Sequence, residues 1–243
     1  MIYICYGQPK SASTAISRLT ARIIHLKYGV TVAEIGKKYL PQDLRTAFIG
    51  QVHRVIDRLD NSIPRQITYR VKTHGPPTAP IDELLASRQV LACVSFRDPR
   101  DVALSMLDAG VIDRREGRGR SFSNFHTFDD VFSPIRRNLK ILKLWLAVPG
   151  VTRIPYELVA SQPAIVAQRI IRQMGFDDVD ANQAARSIVE KKESIPEFNK
   201  GIVGRYKTEM PEPYQEKFDN EFGDDIRLIQ KLTQEEMQST RAE

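Results

Sequence analysis

Ile2-Tyr3-Ile4-Cys5-Tyr6-Gly7-Gln8-Pro9-Lys10-Ser11-Ala12-Ser13-Thr14 opens the chain, and this stretch decides the fold. Residues 2–6 form an almost wholly apolar strand. A central strand of a parallel sheet needs that character, because helices cover both of its sides. A short polar loop follows. Ile16, Leu19, Ile23 and Leu26 then step by 3, 4 and 3 residues along one helical face. The order strand, loop, helix sets a helix N-terminus at the end of a strand. Free amides and a partial positive charge at such a terminus bind phosphate or sulfate. Lys10 adds a cation, and Ser13 and Thr14 add hydroxyl donors. The Gly-x-x-x-x-Gly-Lys-Ser/Thr loop is not met, because no Gly precedes Lys10 and the hydroxyls are displaced. The plain alternative is that Ser13 or Thr14 merely caps the helix.

Outward from this start, β-rich runs alternate with helical patterns. Strands are expected at 2–6, 67–73, 90–96 and 151–155. Val52, Ile56 and Leu59 predict a second helix. Val102, Leu104 and Met106 mark one over 100–107. Ile135, Leu139, Leu142 and Leu146 mark another, and Val166, Ile170 and Met174 a further one ended by Gly175. The expected fold class is α/β, a three-layer sandwich with a central parallel sheet, like that of P-loop nucleotide hydrolases. No repeat or linker divides the chain, so 1–243 reads as a single domain. Residues 109–127 and 198–211 resist regular assignment, and 234–243 reads as a polar tail. The first of these stretches holds Gly110, Gly117 and Gly119 with Arg114, Arg115, Arg118 and Arg120. It is a candidate mobile acceptor loop, since loops over a sheet edge carry function.

The 243 residues are 42% hydrophobic and 27% charged, a globular balance that excludes wholesale disorder and fibrous repeats. The longest apolar run, 90–96, is far short of the roughly 20 residues of a spanning helix, so no membrane partner is expected. The start of the chain has no secretory pattern, so the expected location is cytoplasmic. Cys5 and Cys93 lie in strand-like runs and read as buried thiols, with no zinc-ligand spacing. The formal charge is +6, from 36 basic and 30 acidic residues. That excess suits an anionic ligand, and no Lys/Arg run is long enough for a nucleic-acid tail.

Three further motifs sit at strand ends or in a late loop. Lys72-Thr73-His74 closes the second strand. Ligands of parallel sheets bind beyond the C-terminal strand ends, which brings His74 to the edge that holds Lys10. Arg97-Asp98-Pro99-Arg100-Asp101-Val102-Ala103-Leu104-Ser105 leads from the third strand into a helix, with Pro99 suited to its first turn. Arg97 and Ser105 could converge on one phosphate; the alternative is a structural Arg–Asp pair with an outward Ser. Phe198-Asn199-Lys200-Gly201-Ile202-Val203-Gly204-Arg205-Tyr206-Lys207 combines a cation with glycines that permit close backbone approach.

In this order the motifs resemble those of the sulfotransferase family that uses 3′-phosphoadenosine 5′-phosphosulfate. Pro9-Lys10-Ser11-Ala12-Ser13-Thr14 resembles the family's Pro-Lys-Ser-Gly-Thr-Thr loop. Lys72-Thr73-His74 matches a Lys-Thr-His element, and Arg97 to Ser105 match Arg-x-Pro-x-Asp-x-x-x-Ser. Lys200 to Lys207 resemble Lys-Gly-x-x-Gly-x-Trp-Lys, and Tyr156-Glu157 matches a late Tyr-Glu pair. Ala12 stands for Gly, Tyr206 for Trp and Asn199 for a common Arg. Of the family's short dimer motif only Lys207 and Glu216 are present, so no dimer is carried over and the oligomeric state stays open.

The resemblance implies transfer of a sulfuryl group from that donor to a hydroxyl or amine of a small-molecule acceptor, with no metal. It implies that Lys10, Lys72 and His74 are catalytic, with Lys10 on the bridging oxygen, Lys72 facing the sulfonate and His74 as general base. It implies that the amides of Ser11, Ala12, Ser13, Thr14 and Ala15 hold the 5′-phosphate, that Arg97, Ser105, Lys200 and Gly201 hold the 3′-phosphate, and that Tyr156 lies on the adenine side. The competing readings are a P-loop kinase or other nucleotide phosphotransferase, and a non-catalytic nucleotide- or sulfate-binding module. The kinase needs a carboxylate at a strand end for Mg²⁺, where this chain has Arg97.

Overall fold

A computed structural model of the chain describes all residues except 47, 53–54, 78, 120–121, 190–200 and 241–243. Four strands, β1 (Ile2–Gly7), β2 (Tyr69–Thr73), β3 (Val90–Phe96) and β4 (Thr152–Pro155), form one parallel sheet in the order β2-β1-β3-β4. The central pair, β1 and β3, is buried along its whole length, as the unbroken apolar runs require. Cys5 and Cys93 are register partners in this pair, and both are free thiols.

The helices are α1 (Ser13–Tyr28), α2 (Val32–Tyr39), α3 (Ile56–Ser62), α4 (Ala79–Ala86), α5 (Pro99–Arg115), α6 (Phe128–Leu146), α7 (Tyr156–Ser161), α8 (Pro163–Met174), α9 (Ala181–Val189), α10 (Tyr206–Glu209) and α11 (Glu212–Ser239). They flank the sheet in two packed sets, one built on α1, α8 and α9 and the other on α5, α6 and α11. In the second set Phe132 packs against Phe218 and Phe222, with ring centroids 4.6 and 5.7 Å away. Among the described residues no helix is long and apolar enough to cross a membrane.

Four sequence expectations need correction. Residues 109–115 are the last two turns of α5, not loop. Gly110 is there for contact rather than motion: a methyl group on it would lie 2.6 Å from the Phe122 carbonyl and 2.7 Å from that of Phe125. Residues 234–239 are helical too. The end of α11 is fastened where Arg169 donates to the Glu236 carboxylate (2.6 Å) and carbonyl (3.0 Å) and to Ser239. Val52 precedes α3 rather than belonging to it, and residues 206–209, inside a stretch read as irregular, form α10.

Candidate nucleotide and transfer site

The register sets the site. Tyr6 pairs with Thr73, Gly7 with Ser95 and Phe96 with Pro155, so all four strands end at one edge. From that edge emerge, side by side, His74 after β2, the 8–12 loop after β1, Arg97 after β3 and Tyr156 after β4. The order reverses on either side of β1, and a crevice opens at such a switch point in doubly wound sheets.

The loop after β1 is tightly made. A methyl group on Gly7 would lie 2.3 Å from both Ser13 Cβ and Ser95 Oγ, so only glycine lets β1, β3 and α1 meet here. Ser11 is fully buried. Its amide donates to the Gln8 carbonyl (3.1 Å), and its hydroxyl bonds the Gln8 carbonyl (2.6 Å) and Ser95 Oγ (2.9 Å). Ser11 therefore pins the loop rather than facing outward. Lys10 and Ala12 both have left-handed backbone, with φ of 66° and 64°. That conformation costs a side-chain-bearing residue about 1–2 kcal/mol and concentrates at functional sites. Ala12 is the N-cap of α1, and no side chain caps the helix. The first intrahelical bond runs from the Ile16 amide to the Ala12 carbonyl (3.0 Å). The amides of Ser13, Thr14 and Ala15 thus project past the helix end, the arrangement that receives an anion.

Two cations reach this mouth. Lys72 Nζ donates to Thr14 Oγ1 at 2.8 Å. Lys10 Nζ lies 5.2 Å from the centre of the Phe122 ring, which the turn after α5 carries over the loop. Arg114 fixes that turn by donating to the carbonyls of Ser123 and Phe125, each at 2.8 Å.

His74 is held from several sides. Its Nδ1 bonds the Gly7 carbonyl, so Nδ1 carries the proton and Nε2 keeps its lone pair. Burial pushes its pKa down to about 4, the Lys72 ammonium pushes in the same direction, and the Gly7 carbonyl opposes both. The imidazole is therefore neutral at pH 7. Trp145 Nε1 donates to the Gly75 carbonyl at 2.8 Å, and its ring stacks on Tyr6 at 5.1 Å. Phe48, 45% exposed, lies 5.2 Å from the imidazole centre.

On the other flank Arg97 is 3% exposed and its guanidinium lies 3.8 Å from the centre of the Tyr156 ring. Burial raises the Tyr156 phenol, which remains a neutral support. Arg97 Nη2 donates to Asp101 Oδ2 (3.1 Å) and to the Ile202 carbonyl (2.7 Å), while its Nε has no partner among the described residues. Ser105 lies two turns along α5 and is buried, not outward. Gly201 has φ of 71° and joins this flank through its neighbour Ile202. Lys200 lies outside the described residues. Sequence reading missed Trp145, Phe48 and Phe122; it quoted Gly7 and Asp101 within motifs without giving either a site role, and the Arg97–Asp101 ion pair it weighed as an alternative is present. Gly7 had a signal as a glycine at the junction of strand and loop, and Asp101 as a fixed position of the Arg-x-Pro-x-Asp-x-x-x-Ser element. Among the described residues no group of three His, Cys, Asp or Glu side chains could hold a metal ion.

The architecture is the sulfotransferase fold, a parallel sheet with the loop after β1 at its crevice. Mouse sulfotransferase SULT7A1 complexed with PAP superposes with a TM-score of 0.57 at 16% identity, over 96% of this chain and 88% of that one. Retinol dehydratase in complex with androsterone and inactive cofactor PAP gives 0.55 at 14% identity, over 93% and 80%. No protein-family model and no curated protein matches the sequence.

Proposed function

We propose that this chain is a sulfotransferase that moves a sulfuryl group from 3′-phosphoadenosine 5′-phosphosulfate to a hydroxyl or amine of a small-molecule acceptor. One observation carries the reading. At one edge of the sheet an uncapped helix end with two lysines stands between a neutral histidine and a buried arginine. The site can therefore meet an anion at its middle, accept a proton on one side and take a second anion on the other. Both named neighbours carry PAP, the desulfated form of the donor.

Sulfuryl transfer is an in-line displacement. A bond forms from the acceptor oxygen to sulfur while the bond from sulfur to the 5′-phosphate oxygen breaks, and charge builds on the leaving oxygen. In this reading the amides of Ser13 to Ala15 hold the 5′-phosphate, and Lys10 meets the charge that develops on the leaving oxygen. Lys72, on Thr14, faces the sulfonate. His74 Nε2 takes the acceptor's proton. The acceptor hydroxyl becomes acidic as its oxygen bonds to sulfur, so a weak base held neutral suffices. Arg97, Ser105, Gly201 and Lys200 serve the 3′-phosphate, and Tyr156 lies on the adenine side. A cytoplasmic location belongs to the same reading, and the two free thiols side by side in the sheet suit it.

Thermal unfolding with adenosine 3′,5′-bisphosphate against ATP–Mg²⁺ tests the donor class. The bisphosphate at a hundredfold excess over its Kd adds about 2.7 kcal/mol to stability, and ATP–Mg²⁺ adds much less. Stabilisation by ATP–Mg²⁺ alone removes the reading in favour of a phosphotransferase. A ³⁵S-labelled donor screened over phenols, sterols, sugars, amines and small alcohols then finds the acceptor.

A further inference from the structure

The 3′-phosphate flank is organised around a residue given no role so far. Asp101 lies in the first turn of α5 and is 1% exposed. A carboxylate this deep is tolerated only when donors surround it. Here Oδ2 accepts from Arg97 Nη2 (3.1 Å) and from the Gly204 amide (2.8 Å), and Oδ1 accepts from the Tyr206 amide (3.0 Å). One side chain thus joins the end of β3 to a turn a hundred residues further on, and the sheet itself provides no such link. Arg97 closes the circle by donating to the carbonyl of Ile202 in that turn. Both of these bonds use Nη2, and the Tyr156 ring fixes the plane of the guanidinium, so its unpartnered Nε has a set direction.

We infer that Asp101 is the positioning residue that makes this chain select a nucleotide with a 3′-phosphate, by holding Arg97 and the Gly201–Tyr206 turn in one arrangement. This rests on the sulfotransferase reading. Two effects of the carboxylate oppose each other. As a charge it neutralises Arg97 and repels a phosphate, so its removal would tighten binding. As a tether it assembles the pocket, so its removal weakens binding. The tether dominates, because the same carboxylate carries both turn amides as well as the guanidinium, and losing it releases the turn along with the charge.

Titration calorimetry on the full chain separates the two. Adenosine 3′,5′-bisphosphate and adenosine 5′-monophosphate are measured on wild type, Asp101→Asn, Arg97→Ala and the double variant. Asp101→Asn lowers affinity for the bisphosphate tenfold or more and changes affinity for the monophosphate less than twofold. In the Arg97→Ala background the same substitution costs little further, since the two residues act as one unit. Asp101→Glu keeps the charge but moves the carboxylate out by one methylene. It shares the loss, and it provides the test if Asp101→Asn does not fold. Unchanged or tighter bisphosphate binding overturns the inference, as does an equal loss for both nucleotides. If wild type binds neither nucleotide, the sulfotransferase reading falls as well. If wild type prefers the bisphosphate and both Asp101 variants keep that preference, the inference alone falls.

Discussion

His74 joins the stability of this chain to its proposed chemistry. Burial first, and the nearby Lys72 charge second, hold its pKa near 4, where a free imidazole titrates near 6.5. The neutral ring is the form a general base needs, and the Gly7 carbonyl on Nδ1 keeps Nε2 free to act. The pH profile of kcat/KM should therefore stay flat from pH 8 down to about 5 and fall toward a half-point near 4. A half-point at 6.5 would show that His74 is not the group being titrated. The linkage follows from the same shift. An unfolded chain takes up the proton near pH 6.5, and the folded chain only near 4. The stability contributed by the neutral ring is full above 6.5 and is lost as pH falls from 6.5 to 4, by on the order of 3 kcal/mol. His74→Asn should lose that much less stability over this interval in urea titrations. It should also lower kcat by roughly 10²- to 10⁴-fold, the range for a general base. Normal turnover in this variant would mean that another group takes the acceptor's proton.

At the scale of elements, α5 and the turn that follows it decide how Phe122 reaches Lys10. Helix propensity alone favours Gly110→Ala by about 1 kcal/mol. The added methyl group, however, meets two backbone carbonyls at 2.6 and 2.7 Å, and Arg114 pins that turn. Overpacking of this kind costs about 1–3 kcal/mol and dominates. Gly110→Ala should lower the urea midpoint and, by displacing Phe122 from Lys10, lower kcat, whereas Gly119→Ala, with nothing among the described residues within 4 Å of the added methyl group, should do neither. Equal effects at the two sites would contradict this packing role. The sequence hid this element because Gly110 and the arginines resemble a flexible loop in composition, while the contacts of Gly110 and Arg114 lie nine to fifteen residues away. The central strands β1 and β3 were legible because burial on both faces leaves unbroken apolar runs. Thr31 with Glu34 forms a capping box that announces α2, and that signal was readable but unused. The candidate site was legible where it is local, in the strand–loop–helix that carries Lys10 and the amides of Ser13 to Ala15 and in Lys72 to His74, although the inward turn of Ser11 was not. The pairing of Arg97 with Asp101 was open to sequence reading as an i, i+4 ion pair, but the bonds to Asp101 from the Gly204 and Tyr206 amides were not, because those partners lie a hundred residues away.

At the scale of the whole molecule, α11 binds the second set of helices to the rest. Phe218, Phe222, Ile226, Ile229 and Leu232 step by 4, 4, 3 and 3 and are all buried, a helical stripe that continues across a kink at Phe222 (φ −121°, ψ 15°). Glutamates, aspartates and glutamines between them dilute the apolar signal, so the last residues read as a tail. In the fold, Glu236 and Ser239 instead reach Arg169 on α8, beside Thr152 at the start of β4. That is the edge of the sheet opposite the strand ends that carry the site. The two edges should therefore respond separately. Ending the chain at Thr233 removes those partners of Arg169, whose side chain is 8% exposed. Charge-assisted bonds of this kind contribute about 1.5–3 kcal/mol. For a chain of this size the melting temperature should fall by roughly 5–10 °C. Affinity for adenosine 3′,5′-bisphosphate, measured well below the melting range, should stay within twofold of wild type. An unchanged melting temperature would mean that 234–243 is a free tail after all. A large loss of affinity with an intact fold would mean that α11 acts on the nucleotide site through β4.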